Sequence, residues 1–168
     1  MFIQQTDLFH AMNKDFVKEV FDITVKESYE DGDVLFAEGD AARHFYILLK
    51  GRVRLGARET GQVVHTVSRP GEAFGWSSLV GRTSYSASAQ CVLPTKLIKI
   101  DRDDFQVILE KDPTNGLLFF KRLAGALGER LISSYSALGL AQPSAEHRTY
   151  GSSLTLQQSG GESSESAQ

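Results

Sequence analysis

The stretch from Lys26 to Ile100 is cut into short apolar or alternating runs by glycine, aspartate and proline, and this punctuation restricts the fold more than any other feature of the chain. The clearest runs are Val34-Leu35-Phe36, His44 to Leu49, Arg52 to Leu55, Val63 to Val67, Ser86 to Ala89 and Lys96 to Ile100. Runs of this length and period read as strands. Between them stand Asp31-Gly32, Glu38-Gly39-Asp40, Lys50-Gly51, Thr60-Gly61 and Pro70-Gly71, residue pairs suited to tight turns. About eight short antiparallel strands are expected over 26–110, enough to close a small barrel or jelly roll.

Helical texture flanks this region. From Met1 to Val25 the apolar residues Phe2, Ile3, Leu8, Phe9, Met12, Phe16, Val17, Val20 and Phe21 recur at three- and four-residue steps, which predicts one or two amphipathic helices over 1–25. Asp101 is placed to cap a short helix to Leu109, and Asp112-Pro113 to open a longer one running to about Gly139, within the segment 111–140. Along that helix Phe120, Ala124, Leu127, Leu131, Ser134 and Leu138 form a heptad-like seam, with Phe119, Leu123 and Ala126 as a second stripe. Two adjacent stripes, with Gly125 and Gly128 allowing close approach, suit a helix that rests on its own barrel and pairs with a twin. The tail 141–168, rich in Gln, Ser, Gly and Glu, lacks the apolar surface to offset its chain entropy and is expected to be disordered.

The run Pro70-Gly71-Glu72-Ala73-Phe74-Gly75-Trp76-Ser77-Ser78-Leu79-Val80, followed by Tyr85-Ser86-Ala87, resembles the phosphate-binding cassette of the cyclic nucleotide-binding domain family, the sensor half of the catabolite activator and fumarate-nitrate regulators. Tyr29 to Asp40 and Phe45 to Val53 resemble that family's opening strands, so the resemblance extends well beyond the cassette. It implies a mainly β fold with flanking helices: a cyclic nucleotide-binding-type jelly roll, or double-stranded β-helix, with N-terminal helices and a long C-terminal helix that forms a homodimer interface. In the family a Glu after the Phe-Gly pair binds the ribose hydroxyl, and an Arg forks onto the cyclic phosphate. Here Trp76 stands at the Glu position and Tyr85 at the Arg position, and a phenol is no permanent cation. Glu72 precedes Phe74-Gly75 and does not fill the gap, and Arg82 is three residues out of register.

The cassette at 70–89 therefore implies the fold without the nucleotide grip. The candidate ligand-binding residues are Phe74, Gly75, Trp76, Ser77, Ser78, Arg82, Tyr85 and Ser86. The family begins a short helix at the position of Gly75, and a helix N-terminus attracts an anion without side-chain charge. Trp76, the chain's single tryptophan, either fills the space of a nucleotide or contacts a ligand. With Tyr85 it offers aromatic faces, and Ser77, Ser78 and Ser86 offer hydroxyls, a set that favours an aromatic or carboxylate-bearing metabolite. Arg54, by strand adjacency, is the other cation expected nearby.

Other chemistries find little support. A net charge of −3 and a pI near 5.8, with scattered basic residues, argue against a chain built to grip nucleic acid. The 168 residues leave no room for a helix-turn-helix after the long helix, so no direct DNA binding is expected. Cys91 is the only cysteine, read as a buried strand residue, so no disulfide and no cysteine framework for an iron–sulfur cluster arise. His10, His44, His65 and His147 are dispersed, and no His or Cys falls between Gly71 and Gln90 to ligate haem. The serines sit in no nucleophile elbow, so no enzyme and no cofactor are expected. With no signal peptide and no apolar run of roughly 18 residues, the expected location is cytoplasmic and away from membranes. The expected role is a stand-alone sensor for an unidentified small molecule or a protein partner, in which binding near residues 74–86 repositions the long helix. The alternatives are a protein-binding adaptor with a closed pocket and a truncated transcription regulator.

Overall fold

A computed structural model of the protein describes residues 6–57 and 60–137. The expected tail and the last residues of the expected long helix lie outside them. The elements in order are α1 (Lys14–Asp22), β1 (Thr24–Tyr29), β2 (Val34–Phe36), β3 (His44–Gly56), β4 (Val63–Val67), β5 (Ala73–Phe74), a 3₁₀ turn (Trp76–Leu79), β6 (Ser88–Asp101), α2 (Arg102–Lys111) and α3 (Pro113–Ala137). All strand pairs are antiparallel, in the order β1-β6-β3-β4, with β2 added on β6 and β5 on β3.

The described residues form six strands where about eight were expected, because two turn-like breaks lie inside continuous strands. Lys50-Gly51 is a bulge in β3, where the register against β6 shifts between Leu48 and Val53. Gly51 has φ +106, and a Cβ there would stand 2.5 Å from Thr95 Oγ1 and 2.6 Å from the Pro94 carbonyl. Glycine at this point lets β3 press against the bend of β6 at Pro94-Thr95. The Thr95 hydroxyl accepts from the Arg52 N–H at 3.3 Å and donates to the Leu93 carbonyl at 2.8 Å, replacing ladder bonds lost at the bulge.

Helix starts follow local chemistry. Asn13 caps α1 by accepting from Asp15 N at 2.8 Å, and Asp101 caps α2 by accepting from Asp103 N and Asp104 N. Asp112 accepts from Asn115 N at 3.1 Å, with Pro113 in the first turn of α3.

Strand alternation divides β3 and β6 between two cores. Phe45 and Ile47 of β3, with Ile98 and Ile100 of β6, face the helices and pack with Phe9, Phe16, Val20, Phe105, Phe119 and Leu123. Tyr46, Leu48, Val53 and Leu55, with Ala89, Cys91 and Leu97, face the barrel interior together with Phe36, Val67, Phe74 and Tyr85. Cys91 is fully buried there, and burial pushes its thiol pKa up. The first core welds α1, α2 and the first half of α3 to the sheet. The second underlies the cassette.

Candidate functional site

The segment joining β4 to β5 is fixed to β3 by backbone bonds: Gly71 N donates to Leu48 O at 2.8 Å and Leu48 N to Glu72 O at 3.0 Å. The Glu72 carboxylate folds back on its own turn, accepting from Ser68 N at 3.2 Å and Arg69 N at 3.3 Å. His65 Nε2 of β4 lies 2.7 Å from Glu72 Oε1. Burial alone would raise the Glu72 pKa, but the His65 contact and the two N–H donors outweigh it and hold the carboxyl below its ordinary range.

Beyond β5 the chain turns at Gly75, with φ +72. A Cβ there would lie 3.0 Å from Tyr46 Cδ2 and 3.3 Å from the His44 carbonyl, so the left-handed turn is close-packed as well. The expected helix at this point is a single 3₁₀ turn, Trp76–Leu79. One such turn has little aligned dipole with which to hold an anion.

A cavity of about 320 Å³ opens between this turn, the barrel and α3, within the range of about 300–1,000 Å³ usual for small-ligand pockets. Of the candidate residues, Gly75, Trp76, Ser77, Tyr85 and Ser86 line it. Trp76 is part of its wall and also packs against the helix-side core. Phe74 does not reach the cavity: β5 pairs it with Tyr46, and it is fully buried, its ring 5.2 Å from Tyr46 and 6.4 Å from Phe36. The Ser78 hydroxyl turns back to the Gly75 carbonyl at 3.1 Å. Arg82 stands exposed in the loop outside, and Arg54 is an exposed strand residue bonded to Gln90 Oε1 at 2.8 Å. Neither cation is among the lining residues.

Tyr85 is more core than pocket. Its ring stacks on Phe36 with centroids 3.8 Å apart, its hydroxyl donates to the His44 carbonyl at 2.7 Å, and the His44 N–H donates back at 3.1 Å. Its polar end is committed to the backbone, and burial raises its pKa although the backbone bond at His44 works the other way.

Further lining residues escaped the sequence pattern: Phe36, Leu55, Val64 and His65 from the strands, Ala87 beside the cassette, and the side of α3 that carries Leu127, Arg130, Leu131 and Ser134. Three residues of the heptad-like seam thus cover the cavity. Arg130, largely buried, donates through Nη2 to Glu72 Oε1 at 3.3 Å and to the Ala73 carbonyl at 3.1 Å. Burial weakens its hold on the proton and Glu72 partly restores it. His65, Trp76, Leu127 and Arg130 also line a second, more polar space of about 580 Å³ bounded by Asp7, Arg69, Arg122 and Glu129, so they form a wall between the two. No local signal joins Arg130 to Glu72, which lie 58 residues apart. Among the described residues no group of three His, Cys, Asp or Glu is placed to hold a metal, and no helix is long and apolar enough to cross a membrane.

The sequence profile of the cyclic nucleotide-binding domain matches residues 26–112, more than half of the chain, across the barrel, the cassette and α2. The chain belongs to the cyclic nucleotide-binding domain family. The cyclic AMP receptor protein of Thermus thermophilus is 31% identical over 126 residues, covering 74% of this chain and 56% of the relative, so the chain spans little more than half that protein's length. The crystal structure of the Thermus thermophilus catabolite activator protein superposes with a TM-score of 0.64 at 29% identity, covering 80% of this chain and 62% of that one. A cyclic nucleotide-binding domain from Methylobacillus flagellatus KT shares the fold, with a TM-score of 0.71 at 23% identity over 84% of this chain and 82% of that one. Within this family the chain has the jelly roll and the long helix.

Proposed function

We propose that this family member is a regulatory domain that senses a small molecule other than a cyclic nucleotide, held in the cavity beneath α3. One observation carries the reading: the walls are mostly aromatic and aliphatic, with Trp76, Tyr85, Leu55, Val64, Leu127 and Leu131, and the cassette contributes no cation. A cyclic phosphate enclosed there would lose its water and meet no arginine from the cassette, and among the described residues no carboxylate lines the cavity to accept from the ribose hydroxyl. Because Leu127, Arg130, Leu131 and Ser134 close the cavity from α3, an occupant preferring one placement of that helix shifts it by the difference in its affinity for the two placements.

The outer face of α3 supports pairing with a second copy. Leu117, Ile132 and Tyr135 are exposed, and a Cβ at Gly125 or Gly128 would meet nothing within 4 Å. Such a pair carries a change in helix placement to a partner protein.

Titration of the full chain with cyclic AMP, cyclic GMP and cyclic di-GMP, followed by Trp76 fluorescence, tests the ligand claim. The expected result is no saturable response at millimolar nucleotide. Micromolar binding with a Trp76 response overturns it.

A further inference from the structure

Arg130 lies in the cavity wall but comes from the covering helix rather than from the cassette. Among the described residues it is the only Lys or Arg lining the cavity, since Arg54 and Arg82 stand outside. A guanidinium has five N–H donors, and among the described residues only those of Nη2 are engaged, one toward Glu72 at 3.3 Å and one toward the Ala73 carbonyl at 3.1 Å. Nε and Nη1 remain available to another acceptor.

Glu72 does not depend on this bond. Without Arg130 it keeps His65 on Oε1 and the N–H groups of Ser68 and Arg69 on Oε2. A carboxylate that retains three donors is not stranded when a fourth leaves, so the usual penalty for breaking a buried pair is largely avoided. Arg130 can therefore exchange Glu72 for another acceptor without stranding the carboxylate. Phe36, Leu55, Val64, Trp76, Leu127 and Leu131 offer apolar contact to the body of a ligand, with Ser77, Ser86, Ser134 and His65 as the other polar groups of the lining.

We infer that Arg130 is the anion-binding residue of this cavity, and that its ligand is an organic acid with an apolar or aromatic body whose carboxylate draws Arg130 away from Glu72. This rests on the reading of the cavity as a ligand site and adds the chemical class of its occupant. It also states how the occupant is felt: Arg130 belongs to the wall between the two spaces and to the helix above, so its change of partner alters what holds α3 down.

The test titrates the full chain with 8-anilinonaphthalene-1-sulfonate, whose sulfonate stands in for the carboxylate, and with N-phenyl-1-naphthylamine, the same body without charge. Binding is read by energy transfer from Trp76, in the unsubstituted chain, Arg130→Gln and Glu72→Gln, with melting curves confirming that each is folded. The anion is expected to bind about tenfold more tightly than the neutral dye, a difference of about 1.4 kcal/mol, because its bond to Arg130 is offset by the loss of the Glu72 contact. Arg130→Gln should remove that preference while leaving the neutral dye within about twofold, and Glu72→Gln, which removes the competing charge, should tighten the anion. Equal loss of both dyes in Arg130→Gln, an anion preference surviving it, or weaker anion binding in Glu72→Gln overturns the inference. If both dyes bind equally in the unsubstituted chain, the ligand cavity stands and the anion claim falls. If neither binds, both fall. If cyclic AMP displaces the anion and Arg130→Gln abolishes the displacement, the anion claim stands and the exclusion of nucleotides falls.

Discussion

The two halves of α3 are held by different physics. From Pro113 to Leu123 the helix is set into the helix-side core: Phe119 is fully buried, Leu123 nearly so, and Phe119 lies 4.9 Å from Phe105 and 5.3 Å from Phe9 by ring centroids. Asn115 Oδ1 accepts from Asn13 N at 3.3 Å, and Arg122 donates to the carbonyls of Leu8 and His10. From Ala124 to Ala137 the described side chains are exposed or partly exposed, with Leu131 at 51% and Ile132 at 57%, and the principal polar tie to the barrel is Arg130 on Glu72 and Ala73. Apolar burial is non-directional and lost only by unfolding. A polar tie can be exchanged for another acceptor. The first half of α3 is thus rooted in the core, and the cavity lies under the second half.

The largest effect should come from the root. Phe119→Ala should cost about 3–5 kcal/mol in denaturant unfolding, whereas Leu131→Ala on the exposed half should change stability by no more than about 0.5 kcal/mol. Equal costs at the two positions would break the distinction between the halves. The next effect lies below the helix, at the cassette turn. Gly75→Ala places a side chain at φ +72 and 3.0 Å from the Tyr46 ring, and should cost about 1–3 kcal/mol with a distorted cavity, read as weaker binding of both dyes. A neutral outcome would mean that the turn is not pinned by Tyr46.

The smallest effect concerns the Glu72 latch and depends on pH. The Glu72 pKa in the folded protein is depressed from its ordinary 4.5, so the carboxylate's contribution to stability is present above pH 4.5 and is lost as pH falls through the folded value. Melting curves should show Glu72→Gln less stable than the unsubstituted chain near pH 7, with the gap closing below about pH 4.5. A gap that widens on acidification would contradict the direction of the shift.

How far the sequence disclosed this arrangement depends on the range of the interactions. Turn residues, helix caps at Asp101 and Asp112, and the alternation in β2 and β4 are local, and the expected elements there match the structure. Lys50-Gly51 reads as the end of a strand because a bulge and a turn use the same residue types, and only the packing of β3 on β6 separates the two cases. At the site, Gly75, Trp76, Ser77, Tyr85 and Ser86 were placed by the cassette pattern. Phe74 and Ser78 were not excluded by it, because the direction of a side chain next to a left-handed glycine is set by tertiary contacts. Arg130 was invisible for a stronger reason: its partner is 58 residues away, and along α3 it is one charge beside an apolar seam.

Amide hydrogen exchange along α3, with and without 8-anilinonaphthalene-1-sulfonate, tests the central claim most directly. The account predicts that residues 116–123 are protected to near the global unfolding limit, that residues 128–137 exchange far faster, and that the dye changes exchange only in the second segment. Uniform protection along the helix, unmoved by the dye, would contradict it.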